Sequence, residues 1–176
     1  ASPPCQGYSN LKAMHPGKEY PMLIEPVREL LKRIGKPYVI ENVPGAPLID
    51  PITLCGTMFN LGVLDAELRR HRLFESNVTL GLVPECHHYA RNGVCGGYGG
   101  HGRDRRRQVR TIGVYGQAGG TSRRDTARGV YGQGYSLVAR CTAMGIDWMT
   151  GAELSQAIPP AYTEFIGKRV MEALAC

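Results

Sequence analysis

The stretch from Tyr20 to Val43 constrains the fold most. Over residues 20–34 the apolar side chains Met22, Leu23, Val27, Leu30, Leu31 and Ile34 recur at steps of three and four. That is the spacing of one face of an α-helix, and Gly35 suits its left-handed stop. Residues 37–43, PYVIENV, then form a short, nearly all-apolar run, which reads as a parallel strand covered on both faces. A helix leading into a buried strand is half of a doubly wound α/β unit. In such sheets ligand sites open at the carboxyl ends of the strands, here at Glu41-Asn42.

The rest of the chain divides by composition. Residues 1–19 read as loop. ITLCGTMFNLG (52–62) is a further apolar stretch with a glycine turn, and LRRHRLFESN sets basic residues ahead of a strand over 72–76. Residues 81–136 hold most of the glycine and no helical pattern, which reads as a loop-rich insertion with short hairpins. Within it GVYGQ occurs at 113–117 and again at 129–133, spacing that suits two strands joined by the basic turn TSRRDTAR. Regular chain returns at Ser136. PPAYTEFIGKRVMEALA closes the sequence as a helix whose Tyr162, Ile166, Val170 and Leu174 share one stripe. The expected domains are 1–80 (α/β), 81–144 (basic insertion) and 145–176 (a closing helix packing back).

At 176 residues, 43% hydrophobic and 20% charged, the chain suits one ordinary domain with an insertion, soluble and globular. There is no apolar run of membrane-spanning length and no secretory leader, so a cytoplasmic protein with no membrane partner is expected. The six cysteines are scattered without close pairs, which favours reduced thiols over a disulfide frame. The net charge of +6 is local. Eight arginines (103, 105, 106, 107, 110, 123, 124 and 128) stand against Asp104 and Asp125, and the remaining thirteen basic and thirteen acidic residues balance. An all-arginine segment on a neutral body suits forked contacts to phosphate and guanine, hence a polyanion partner; a plain solvated loop is the alternative.

The chemistry-bearing residues begin at the amino terminus. ASPPCQGYS puts Cys5 behind two prolines and before a small-residue turn. A thiol on a stiff loop, with Glu41 on a neighbouring strand end, is what covalent attack on a pyrimidine ring requires. A carboxyl beside the apolar PYVI run is expected to be partly desolvated and able to donate a proton near neutrality. Cys86-His87-His88 with Cys95 and His101 has ligand types that suit zinc, Cys86, His88 and Cys95 above all. C-x8-C lacks the tight pairs of common zinc modules, so polar loop residues facing a nucleic acid are the preferred reading and no metal is expected.

Taken together, these motifs resemble the DNA (cytosine-5) methyltransferase family. SPPCQGYS resembles its catalytic Pro-Cys-Gln loop, Glu41-Asn42-Val43 its Glu-Asn-Val motif, Arg70-His71-Arg72 its Arg-x-Arg motif, and QAIPPAYTEFIG (156–167) its closing motif. The resemblance implies the later part of a Rossmann-like, mostly parallel methyltransferase sheet with a small loop-rich or β target-recognition insertion. It implies that Cys5 attacks carbon 6 of a flipped cytosine, that Glu41 holds and protonates ring nitrogen 3, and that Arg72, with Arg70 supporting, grips the carbonyl oxygen. Gln6, Ser9, Asn42, Arg105, Arg106, Arg107, Arg123 and Arg124 would contact duplex DNA, with Asn42 orienting the loop. Pro4, Pro160 and Tyr162 would border S-adenosylmethionine, the methyl donor. The glycine-rich motif that cradles this cofactor is missing, and its strands would precede Ala1. A lost N-terminal segment or a partner chain is therefore expected, and little turnover from this piece alone. The alternatives are a non-catalytic DNA-binding module, with or without zinc, and a cysteine hydrolase, for which His15 is the only base nearby in sequence.

Overall fold

The computed structural model describes residues 1–9, 17–63, 66–87, 110–114 and 135–175. The chain is mixed α/β and divides into two compact units. One comprises Ala1–Leu54, His71–Val83 and Ile166–Cys176, the other Cys55–Arg70 and Pro84–Phe165. No helix among the described residues is long and apolar enough to cross a membrane.

The first unit holds helix α1 (Ile24–Ile34) and strands β1 (Val39–Asn42), β2 (Ile52–Leu54) and β5 (Arg72–Ser76). Glu25 lies in the first turn of α1 and Lys32 and Arg33 in its last, each sign matched to the helix dipole. Gly35, at φ 66°, closes the helix with its N–H on the Leu31 and Lys32 carbonyls. The apolar stripe read from the sequence is only partly the inner face: Val27 and Leu31 are half-buried beside the buried Ile24 and Arg28, whereas Leu30 is 52% and Ile34 62% exposed. Arg28 turns the helix because its guanidinium is held inside the unit. Its Nε and Nη2 donate to the two oxygens of Glu75 at 2.7 and 2.8 Å, and Nη2 also reaches the Pro47 carbonyl at 2.8 Å.

The strands of this unit lie in the order β1-β5-β2, and both pairings are antiparallel. A Rossmann-like, mostly parallel sheet is therefore not what the described strands form. An apolar run reports burial on both faces, and it does so whichever way the neighbouring strand points. On the other edge of β1, the Ala1 ammonium donates to Val39 O at 2.6 Å and Glu41 N donates to Ala1 O at 2.8 Å. One residue bonding to both neighbours of Ile40 is the pattern of a parallel pair.

The second unit contains a 3₁₀ turn (Gly56–Phe59), strands β3 (Gly62–Val63), β4 (Ala66–Leu68) and β6 (Arg110–Ile112), and helices α2 (Leu137–Met144) and α3 (Gly151–Gln156). Its sheet runs β3-β4-β6, antiparallel then parallel. Ala66, Leu68, Ile112 and Val114 pack with Ala143, Met144, Ile146 and Leu154 into its core. Gly56 is needed for close approach, since a Cβ there would sit 2.2 Å from the Leu68 carbonyl oxygen. Helix α4 (Pro160–Leu174) begins in this unit, with Pro160 as its first residue, the position where a missing N–H costs nothing. The second GVYGQ copy lies outside the described residues, as does the first beyond Val114.

Candidate functional site

Cys5 sits in the first unit on a turn that its own carbonyl organises, accepting from Tyr8 N at 3.0 Å and Ser9 N at 2.9 Å. Its thiol is half-buried. Two tethers fix the turn. The Tyr8 hydroxyl accepts from Ile24 N at 3.0 Å and so occupies one of the amide donors that open α1, a helix start with no side-chain cap of its own. On the other side, the buried Asn42 donates from Nδ2 to Pro3 O at 2.9 Å, while its Oδ1 accepts from Val43 N at 3.0 Å. Asn42 thus ties the cysteine loop to the end of β1. Gly7 lies against residues 21–22: a Cβ there would be 2.7 Å from Met22 Sδ. Pro4 and Gln6 are exposed and Ser9 is half-buried.

Glu41 is 7% exposed and faces two partners. The Ser2 hydroxyl donates to Oε2 at 2.6 Å, and Arg72 Nε lies 3.0 Å from Oε1. The strand register produces the second contact. Glu41 is opposite Phe74 across β1 and β5, so Arg72, two residues before Phe74, stands diagonally on the same face. The Arg72 charge compensates a carboxylate that burial would otherwise leave costly. Arg72 Nη1 also donates to its neighbour's carbonyl, His71 O, at 2.8 Å, which orients the guanidinium. Cys5, Glu41, Asn42 and Arg72 are therefore gathered in one unit by three elements: the amino-terminal turn, β1 and β5.

Arg70 belongs to the second unit and is occupied differently. Its Nη2 donates to Ser155 O and Ala157 O at 2.8 Å each, and Nη1 to Val114 O. These include carbonyls at the end of α3 that have no partner within the helix. Arg70 is thus an internal staple, and its own carbonyl accepts the Tyr162 hydroxyl. Tyr162 is fully buried with its ring 5.3 Å from that of Phe59. Of the three residues assigned to S-adenosylmethionine, Tyr162 therefore spends its hydroxyl internally. Pro4 and Pro160 are exposed and offer no side-chain donor or charge. These three residues therefore supply no charge and no uncommitted side-chain donor for the cofactor. Arg105, Arg106, Arg107, Arg123, Arg124, His88, Cys95 and His101 lie outside the described residues, as does His15.

Two groups carry no clear signal in the sequence. Glu75 balances Arg28. Burial alone would raise its carboxyl, but hydrogen bonds from Arg28 and from Ile49 N, at 2.8 Å, outweigh that and hold it below the usual carboxylate range. The one hint is a Glu inside a hydrophobic strand, which is tolerated when paired. In the second unit, burial pushes the Cys55 thiol up to about 12, against hydrogen bonds from Thr57, with Cys86 adding to the rise. Thr57 Oγ1 donates to Cys55 Sγ at 3.4 Å and lies 3.6 Å from Cys86 Sγ. Neither a protein-family model, nor a curated protein, nor a solved structure matches this chain.

Proposed function

We propose that this chain carries the base-activating centre of a DNA cytosine-5 methyltransferase. The observation that supports this most is the Asn42 tether. One side chain fixes the Cys5 loop to the strand end that presents Glu41, and Arg72 meets Glu41 from the adjacent strand. A nucleophile, a carboxyl and a cation held on a common frame suit attack on an electron-poor ring.

In this reading Cys5 attacks as the thiolate. Glu41 takes up a proton from water as Arg72 shifts from it to the base. The Cys5 sulfur then bonds to carbon 6 of a flipped cytosine, and the electron pair of the 5,6 double bond moves to carbon 5 as ring nitrogen 3 takes that proton from Glu41. Arg72 holds the carbonyl oxygen and the charge that gathers on the ring. Carbon 5, now an enamine carbon, accepts an electrophile. Loss of its original hydrogen as a proton re-forms the double bond and expels the Cys5 thiolate, while nitrogen 3 returns its proton to Glu41. S-adenosylmethionine is the methyl donor proposed for this chemistry, and the described residues account for the activated base alone. Arg70 is left out of the reactive set because its guanidinium is committed to backbone carbonyls.

Activation is testable without the donor. Duplex DNA carrying tritium at cytosine carbon 5 exchanges that label with water whenever carbon 6 is attacked and carbon 5 is protonated. Wild-type protein is expected to release tritium and Cys5→Ser to release none. Release that survives Cys5→Ser would remove the nucleophile assignment. If no DNA sequence gives release, the non-catalytic DNA-binding reading replaces the enzyme.

A further inference from the structure

We propose that Cys55 and Cys86 form two ligands of a thiolate metal site for zinc or a similarly soft divalent ion. It uses none of the Cys5 centre's residues, and it shares only Cys86 with the Cys86, His88, Cys95 set suggested by sequence. The two residues are thirty-one positions apart, yet their sulfurs lie within 4.8 Å of each other. A tetrahedral zinc with bonds of about 2.3 Å holds two sulfurs about 3.8 Å apart, so at most about one ångström of side-chain adjustment closes the pair on an ion.

The surroundings suit a metal thiolate. Cys55 is the residue just before the 3₁₀ turn, and Met58 N donates to its carbonyl at 3.1 Å, which fixes the backbone that carries the sulfur. Thr57 lies between the two thiols, its hydroxyl on Cys55 Sγ and near Cys86 Sγ. A donor directed at the sulfur orients a ligand and tempers its charge. Cys55 is buried and Cys86 half-buried, so an ion reaches the site from the Cys86 side. Each thiol gives up its proton as its sulfur bonds to the metal, so two protons are released per ion from these ligands. Water and other donors of the chain complete the coordination, and the five histidines of the sequence are the first to examine.

The experiment is metal titration of the reduced, chelator-stripped full chain. Cadmium is followed by thiolate-to-metal absorption in the near ultraviolet, and zinc by competition with a chromophoric chelator. One equivalent is expected, with cadmium–thiolate absorption. Cys86→Ser should weaken binding at least tenfold and remove about half of that absorption. Cys95→Ser and Cys141→Ser should leave both unchanged. Cys55→Ser should match Cys86→Ser; if it fails to fold, protection of Cys55 from alkylation by bound zinc in the wild-type chain takes its place. Loss of binding in Cys95→Ser with full binding in Cys55→Ser would overturn the proposal in favour of the insertion set. Absence of any thiolate absorption would overturn it outright.

Discussion

At the scale of single residues, the pair Arg28–Glu75 carries the clearest energetic consequence. Both side chains are buried and joined by two hydrogen bonds. Removing one leaves an uncompensated charge, so Arg28→Met should cost about 3–5 kcal/mol in urea unfolding. Arg28→Met with Glu75→Leu should recover only part of that loss, because the two charges leave together but Ile49 N and Pro47 O lose their partners. The pH dependence follows from the sign of the shift. A carboxyl held below its usual range stabilises the fold above that range, and the contribution is lost as pH falls through its depressed value. Glu75→Gln should therefore flatten the acid limb of the stability profile. Asn42→Ala removes the donor to Pro3 O. It should cost about 1–3 kcal/mol and slow tritium exchange more than it weakens DNA binding. None of these pairings is visible in the one-dimensional pattern. Glu41 and Arg72 are legible as candidates, but their 3.0 Å contact depends on a diagonal across two strands that are far apart in sequence.

At the scale of elements, local signals are legible where backbone geometry enforces them. Gly35 does end α1 in the left-handed region, the strand expected over 72–76 is β5, and the closing helix is present; α1 begins at Ile24 rather than Tyr20, and Pro160 is the first residue of α4. Helices α2 and α3 escape a reading by periodicity although their caps are present: Ser136 accepts from Ala139 N, and Thr150 with Glu153 forms a capping box. Both helices are short, so their periodic signal is weak and only the caps could have revealed them. Two glycines separate packing from propensity. Gly56→Ala places a methyl 2.2 Å from a backbone oxygen and should destabilise by about 1–3 kcal/mol. Gly167, inside α4 with open space around it, should gain up to about 1 kcal/mol as alanine. Thermal unfolding of the two variants should move in opposite directions.

At the scale of the whole molecule, charge and composition carry the remaining expectation. If the eight arginines between 103 and 128 grip duplex DNA, binding should weaken steeply with salt. Replacing Arg105, Arg106 and Arg107 by Gln should then reduce the log–log salt slope by about 0.9 for each phosphate no longer neutralised. A slope unchanged in that variant would place the phosphate-binding residues elsewhere. The sequence by itself determined where helix α1 stops, that a helix closes the chain, which residues are candidates for nucleophile, acid and cation, and where positive charge gathers. Those are properties of neighbours in the chain: backbone conformation, side-chain chemistry and local spacing. Only the tertiary structure decided that β1 lies against an antiparallel β5, and that Arg28 turns inward while Leu30 and Ile34 stay exposed. It also decided that Arg70 is a staple while Arg72 meets Glu41. Each of these depends on which partner a strand or a charge finds far along the chain. An apolar run or a basic motif reads the same whichever partner that is.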